Sequence, residues 1–275
     1  MDIDSPEFRQ AARWLRGAGE VVVFTGAGAS AESGIATFRD EGGVWEEFPP
    51  EQFGHWAGLL RAAALRPREL ARFALAVLEP IALATPNEGH RAIAEMERHT
   101  GVTVITQNID ELHTEAGSTV VHEIHGSLFE IVTLRGRFVR LITRREMLDV
   151  VESLRRATRR RISLGRLLSA IRPILGLGAR GMHRPNVVMF GQPMAEPDWG
   201  LAQRAARACD CMITVGTSGM VMPAAALPLE ASSAGAKLIR VDPEEGFGGI
   251  WLPGPSATVL PALVEAAFSG REDPA

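Results

Sequence analysis

The chain has 275 residues, 46% of them hydrophobic, and a formal net charge of −4. That length allows one or two domains with a sizeable core, and the slight acidity does not favour a global nucleic-acid role. Two cysteines, Cys209 and Cys211, are too few for a disulfide scaffold. The polar, amphipathic start does not read as a signal peptide, and no apolar run reaches the roughly 20 residues that span a bilayer. A cytoplasmic protein without a membrane partner is the expectation. Lys237 is the only lysine, so nearly all positive charge is arginine.

Residues 21–25 (VVVFT) read as a short buried strand. They lead into Gly26-Ala27-Gly28-Ala29-Ser30-Ala31-Glu32-Ser33-Gly34-Ile35-Ala36-Thr37-Phe38-Arg39-Asp40. Glycines at a strand end let the backbone approach a ligand closely. A helix after them would offer N–H groups and a positive dipole end to a diphosphate. Residues 41–84 then break the pattern with Trp45, Trp56 and a long Leu/Ala/Arg helical stretch. A helix over 87–99 and a strand over 102–106 follow. That strand ends in Thr106-Gln107-Asn108-Ile109-Asp110-Glu111-Leu112-His113, at the edge that faces the ligand crevice of an open α/β sheet. Its amides and carboxylate suit a carboxamide and ribose hydroxyls; the other reading is a helix start capped by Asn108 or Asp110.

A strand over 120–124 brings His125-Gly126 to the same edge, where an imidazole can act as a base near neutral pH. His122, on the opposite strand face, and His113 read as structural. Residues 129–184 are rich in arginine and carry amphipathic helices over 144–154 and 159–171. They offer either a basic surface for an acidic partner or, as we favour, a solvated helical face. Strands over 187–190, 212–215 and 238–241, with helices over 196–208, 223–233 and 257–268, complete the chain. Short buried strands alternating with amphipathic helices predict a doubly wound, Rossmann-like parallel sheet. The expected division is 1–40, 85–129 and 185–275 for that domain. The two insertions, 41–84 and 130–184, would form a smaller, mainly helical one.

The run from Gly26 to Asp40, with its SxESGIxxFR continuation, resembles the nucleotide-binding signature of the sirtuins, the NAD-dependent protein deacylases. TQNxDxLH at 106–113, His125-Gly126, Arg184-Pro185-Asn186-Val187-Val188-Met189-Phe190-Gly191-Gln192 and Gly216-Thr217-Ser218-Gly219-Met220-Val221-Met222-Pro223 resemble further signatures of that family, in family order. The resemblance implies NAD as cofactor and an acyl-lysine protein as substrate, with nicotinamide and O-acyl-ADP-ribose as products. It implies His125 as base, with Asn108 and Asp110 at the nicotinamide ribose and carboxamide. Gly26, Ala27, Gly28, Ser30, Glu32, Phe38, Arg39, Gln107, Ile109, Gly216, Thr217, Ser218 and Asp242 would complete the cofactor set. Phe190, Gly191, Gln192 and Val221 would meet the substrate, the 190–192 loop by strand addition.

The family pattern also fails in places. Most sirtuins hold a tetrahedral zinc with two CxxC pairs, and no cysteine lies between Phe129 and Arg184. No metal is expected; Cys209 and Cys211 read as small buried groups. Gln192 stands where glutamate is usual, and Asp242 where asparagine is common. The family members that take acidic acyl groups use a Tyr-xx-Arg pair, and this chain has no tyrosine. The region Leu59-Leu60-Arg61-Ala62-Ala63 therefore fits an apolar acyl group better, although Arg61 or Arg66 could substitute. On the same scaffold, ADP-ribosyl transfer to protein or NAD hydrolysis is the alternative reading, and a non-catalytic NAD sensor a third.

Overall fold

The computed structural model describes residues 2–37, 42–159, 163–178, 181–246 and 248–269. In chain order the elements are α1 (Pro6–Gly17), β1 (Glu20–Thr25), a 3-10 turn (Ala27–Ser33), α2 (Val44–Glu47), α3 (Pro50–Phe53), α4 (Trp56–Leu65), α5 (Pro67–Leu83), α6 (Glu88–Met96), β2 (Gly101–Thr106), α7 (Leu112–Ala116) and β3 (Val121–Glu123). There follow β4 (Gly126–Thr133), β5 (Phe138–Leu141), α8 (Arg144–Thr158), α9 (Leu164–Ile171), β6 (Gly176–Gly178), β7 (Gly181–Val187), α10 (Asp198–Ala208), β8 (Cys211–Val215), a 3-10 turn (Ala224–Ala226), α11 (Leu227–Ser233), β9 (Lys237–Asp242), β10 (Ile250–Pro253) and α12 (Ser256–Phe268). They fall into two units, Met1–Ser33 with Thr85–Ile124 and Glu196–Ala275, and Gly34–Ala84 with His125–Ala195. None of the described helices is long and apolar enough to cross a membrane.

The first unit holds the doubly wound sheet, six parallel strands in the order β10-β9-β8-β1-β2-β3. Side chains alternate across a strand, so β1 sends Val21 and Val23 into one core with Val104, Ile213 and Ile239, under α1, α6 and α12. Val22 and Phe24 are buried on the other face, where α10 and α11 pack. Strand order reverses between β1 and β8, and the carboxyl ends there form the crevice expected to take a ligand.

Two features correct the sequence reading of this unit. The segment after β1 is a 3-10 turn rather than an α-helix, because Gly28 donates its N–H out of the turn to Gly216 O (2.9 Å) and Gly34 ends it at φ +86. Helix α1 and the edge strand β10 went unread, the first for its polar face and the second for its four-residue length.

Helix α6 begins at a reciprocal cap. Asn87 Oδ1 accepts from the N–H of Gly89 (2.9 Å) and of His90 (3.2 Å), and Asn87 N–H donates to His90 Nδ1 (3.3 Å). The His90 ring, 1% exposed, lies 4.7 Å from that of His113, 2% exposed. Burial, then Arg91, lowers the His90 pKa to about 4, and burial, then His90, holds His113 well below the usual imidazole value.

The second unit contains a four-stranded antiparallel sheet, β5-β4-β7-β6, in addition to its helices. The run over 187–190 is therefore not a parallel strand. Pairing with β4 ends at Val187; Val188 N–H then goes to His125 O (2.9 Å) and Phe190 N–H to Gly54 O (3.0 Å). Helix α8 starts at a Thr143/Glu146 capping box, and the Thr143 N–H, then Arg140, draws the Glu146 carboxyl below its ordinary pKa. Its Met147, Val150, Val151 and Leu154 are buried, as are Leu167 and Ile171 of α9. Arg155 pairs with Glu79, and Arg144 donates to Ile81 O, tying α8 to α5.

Both buried histidines favour the neutral ring when folded, so their stabilisation is complete above about pH 6.5 and fades as pH falls below it, for His90 toward about 4. Thermal melting from pH 7 to 4.5 is expected to show a falling midpoint. In His90→Gln the midpoint starts lower but falls less steeply, by the loss of up to about 1.4 kcal/mol per pH unit for each proton no longer taken up on unfolding.

Candidate functional site

The predicted site residues form two groups, one in each unit. In the first, the loops after β1 and β8 touch backbone to backbone. A Cβ on Gly26 would lie 2.7 Å from Gly216 O, one on Gly28 2.7 Å from Gly216 Cα, and one on Gly216 2.3 Å from Ala29 N. Gly26 donates to Val215 O (3.0 Å) and Gly28 to Gly216 O. These glycines thus serve the approach of one loop to the other, and the Gly26 and Gly28 N–H groups are spent within the fold. Ala27 is half-buried beside them.

That contact frames a buried polar cluster. Asn108 Nδ2 donates to Gly26 O and to Ser30 Oγ, both at 3.0 Å. Ser30 Oγ donates to Asp110 Oδ2 (2.7 Å), and Asp110 Oδ1 accepts from Leu112 N–H (3.0 Å) at the start of α7. Asn108, Asp110 and Ser30 are all buried. The amide carbonyl of Asn108 has no partner among the described residues. Residue Glu111 takes a left-handed conformation, φ 61, directly after Asp110, a costly conformation for a side chain with a Cβ. Gln107 Nε2 donates to Thr217 Oγ1 (3.1 Å), joining the β2 end to the loop after β8. Ile109 is half-buried and Ser218 exposed, and Val221 is half-buried between the exposed Met220 and Met222.

Two expected cofactor residues have partners within the fold. Glu32 Oε2 accepts from Ser256 Oγ (3.0 Å) and Ala257 N–H (2.8 Å), so its carboxylate holds the start of α12. Asp242 Oδ2 pairs with Arg240 (3.1 Å) and its Oδ1 accepts from Glu244 N–H (3.1 Å); Arg240 also donates to Thr217 O (3.2 Å). Asp242 thereby braces the Thr217 loop. Phe38 and Arg39 lie outside the described residues.

In the second unit, His125 is half-buried at the start of β4, with its carbonyl accepting from Val188 N–H. Gly126 follows at φ +74, where a Cβ would meet Asn186 O at 1.8 Å, so only glycine lets β4 close on β7 here. The same unit carries Phe190, Gly191 and Gln192. Gln192 Oε1 accepts from Met189 N–H (3.0 Å) and Trp56 Nε1–H (3.3 Å), clasping the loop to α4. Phe190 spends its N–H on Gly54 and its carbonyl on His55 Nδ1 (2.8 Å). Sequence reasoning missed His55 and Trp56, which have no motif around them. Arg61 and Arg66 are both exposed, and Arg66 is held by Gln52 (2.8 Å) and Glu69 (2.8 Å).

The remaining imidazoles have structural partners. His122 Nδ1 meets Asp198 Oδ1 at 3.2 Å, and His113 Nε2 meets Thr25 Oγ1 at 3.0 Å. Burial pushes the Cys209 thiol up to about 11 and the Cys211 thiol up to about 12, so neither is a ready thiolate.

Residues 26–223 match the model of the Sir2 family. An NAD-dependent protein deacylase of Desulfosudis oleivorans is 42% identical over 271 residues, covering 96% of this chain and 97% of that one. The NAD-dependent protein deacylase of Mycobacterium tuberculosis is 37% identical over 250 residues, 89% of this chain and 96% of its own. A solved structure described as showing the mechanism and regulation of Sir2 enzymes superposes with TM-score 0.76 at 36% identity, over 96% of this chain and 99% of its own. A Sir2 homologue in complex with NAD gives TM-score 0.75 at 28% identity, over 95% and 94%. A Sir2 protein bound to a myristoylated histone peptide gives 0.67 at 31%, over 96% and 97%. The polar cluster at the carboxyl ends of a parallel sheet therefore stands in a chain that belongs to the Sir2 family.

Proposed function

We propose that this chain is an NAD-dependent protein deacylase that frees lysine side chains of an acyl group. The observation that carries the reading is the buried Ser30–Asn108–Asp110 cluster at the strand-order reversal, with one amide carbonyl left open. Its donor and acceptor types fit the polyhydroxyl, carboxamide-bearing half of a dinucleotide. Membership of the Sir2 family, and the deacylases among its relatives, support the same cofactor and substrate class.

Bound NAD supplies the ADP-ribosyl group that carries the acyl group away as nicotinamide departs. Asn108 would offer its open carbonyl to a ribose hydroxyl, and Asp110, braced by Ser30 and Leu112, would order the nicotinamide end. Gln107, Thr217 and Ser218 hold the remainder, with Ala27, Ile109 and the Gly26, Gly28 and Gly216 backbone shaping the wall. Phe38 and Arg39 complete the cofactor set by their place in the motif. Glu32 and Asp242 act by bracing the fold. His125 takes a proton at an imidazole nitrogen from a substrate-complex hydroxyl. Of the substrate residues that the resemblance implies, the 190–192 loop lies in the second unit and Val221 in the first. With no tyrosine in the chain and Arg66 paired with Gln52 and Glu69, an apolar acyl group fits this reading better than a dicarboxylate.

The small unit orders itself without zinc in this reading. Supports are the buried Met147, Val150, Leu154, Leu167 and Ile171, the capped start of α8 and its ties to α5. Among the described residues no three His, Cys, Asp or Glu side chains converge as a metal site, and the residues present do not fit the family's four-thiolate set. Metal analysis of the purified protein is expected to find no stoichiometric zinc; one zinc per chain would overturn this.

Mass spectrometry of NAD with a panel of acyl-lysine peptides tests the reaction. O-acyl-ADP-ribose is the expected product, and bare ADP-ribose without deacylation would favour hydrolysis or ADP-ribosyl transfer. His125→Ala should lower kcat by about 10²-fold or more, the usual share of a general base, while ADP-ribose affinity stays within about threefold. Full deacylation by that variant would refute the role. Gln192→Ala removes the acceptor of two loop hydrogen bonds, each worth about 1 kcal/mol. It should raise the KM for peptide several-fold with the KM for NAD unchanged.

A further inference from the structure

His113 sits in α7, outside the polar cluster yet joined to it by a continuous chain of buried hydrogen bonds. Its Nε2 is 3.0 Å from Thr25 Oγ1; the Thr25 hydroxyl donates to Thr106 Oγ1 (2.8 Å), which also accepts the Asn108 N–H (3.0 Å). Thr25 and Thr106 are the last paired residues of β1 and β2, and both are buried. In its Nε2–H tautomer the ring donates to Thr25, whose own proton then goes to Thr106. Three side chains thus fix the backbone from which the Asn108 amide reaches Gly26 O and Ser30 Oγ.

The far side of the ring makes no such contact. His113 Nδ1 and, in the neighbouring ring, His90 Nε2 are buried nitrogens without a hydrogen-bond partner among the described residues. A buried polar atom left unpaired costs stability that an apolar side chain of similar volume would not. Packing alone is therefore better served by leucine at position 113, and the imidazole has its use on the Thr25 side.

We propose that His113 is a positioning residue for NAD binding, acting through Thr25 and Thr106 to set the Asn108 backbone at the carboxyl end of β2. It touches neither cofactor nor substrate. The proposal rests on the assignment of Asn108 to the NAD site.

The test compares His113→Leu, which keeps bulk and loses the donor, with His113→Gln, whose side-chain amide reaches the Nε2 position. His113→Leu is expected to melt no lower than wild type, while its KM for NAD rises about tenfold, the effect of one lost buried hydrogen bond on ligand placement. Its KM for acyl peptide should stay within about twofold. His113→Gln should keep the NAD KM within about threefold of wild type. Thr25→Val should reproduce the leucine effect, and the double variant should be no worse than either single one. An unchanged NAD KM in His113→Leu, or a glutamine variant as impaired as the leucine one, would overturn the role. Calorimetric ADP-ribose binding by the same variants keeps this apart from the deacylase reading. Wild-type turnover of acyl peptide judges that reading alone. Equal ADP-ribose affinity in wild type and His113→Leu sinks this one whether or not turnover occurs.

Discussion

The contact of Gly26 and Gly28 with Gly216 is the constraint on which the first unit's polar cluster depends. Three missing Cβ atoms bring the loop after β1 against the loop after β8, with separations that no side chain tolerates. Once the loops touch, Gly26 O lies where the Asn108 amide can reach it, and Ser30 is held over Asp110. The polar groups then order one another in a buried setting, where hydrogen bonds are strong and unmade ones are costly. Substituting any of the three glycines would separate the loops before it touched any ligand.

The second unit solves a different problem. It has no long parallel strands and builds order from an antiparallel sheet backed by helices with one apolar stripe each. Gly126 lets β4 close on β7, and that closure carries the His125 backbone with it, next to Val188. The loop beyond is fastened by neutral groups, Gln192 to Trp56 and Phe190 to Gly54 and His55. A neutral amide at 192 does this work without adding a charge beside the loop.

Much of the first unit was legible because its strands are continuous apolar runs, the mark of strands buried on both faces, and because its polar residues cluster at strand ends. β1, β2, β8 and β9 stand within a residue or so of where the sequence put them. The antiparallel sheet was hidden because β5 has four residues, β7 mixes arginine, proline and glycine with apolar residues, and pairing between distant segments leaves no local period. A carboxylate near a nucleotide loop has no sequence mark for its partners within the fold, so the bonds of Glu32 to Ser256 and of Asp242 to Arg240 show only in the structure. His113, read as structural, is buried, and its link to Asn108 runs through two threonines on different strands, which no spacing encodes.

The chain passes between the two units four times, at residues 33–34, 84–85, 124–125 and 195–196. Helix α5 and helix α8 belong together through Glu79 and Arg155, yet forty residues of the other unit separate their segments in sequence. The small unit can therefore be neither trimmed from an end nor grafted as one piece. Exchanging it between relatives would take two simultaneous splices that preserve the α5–α8 seam.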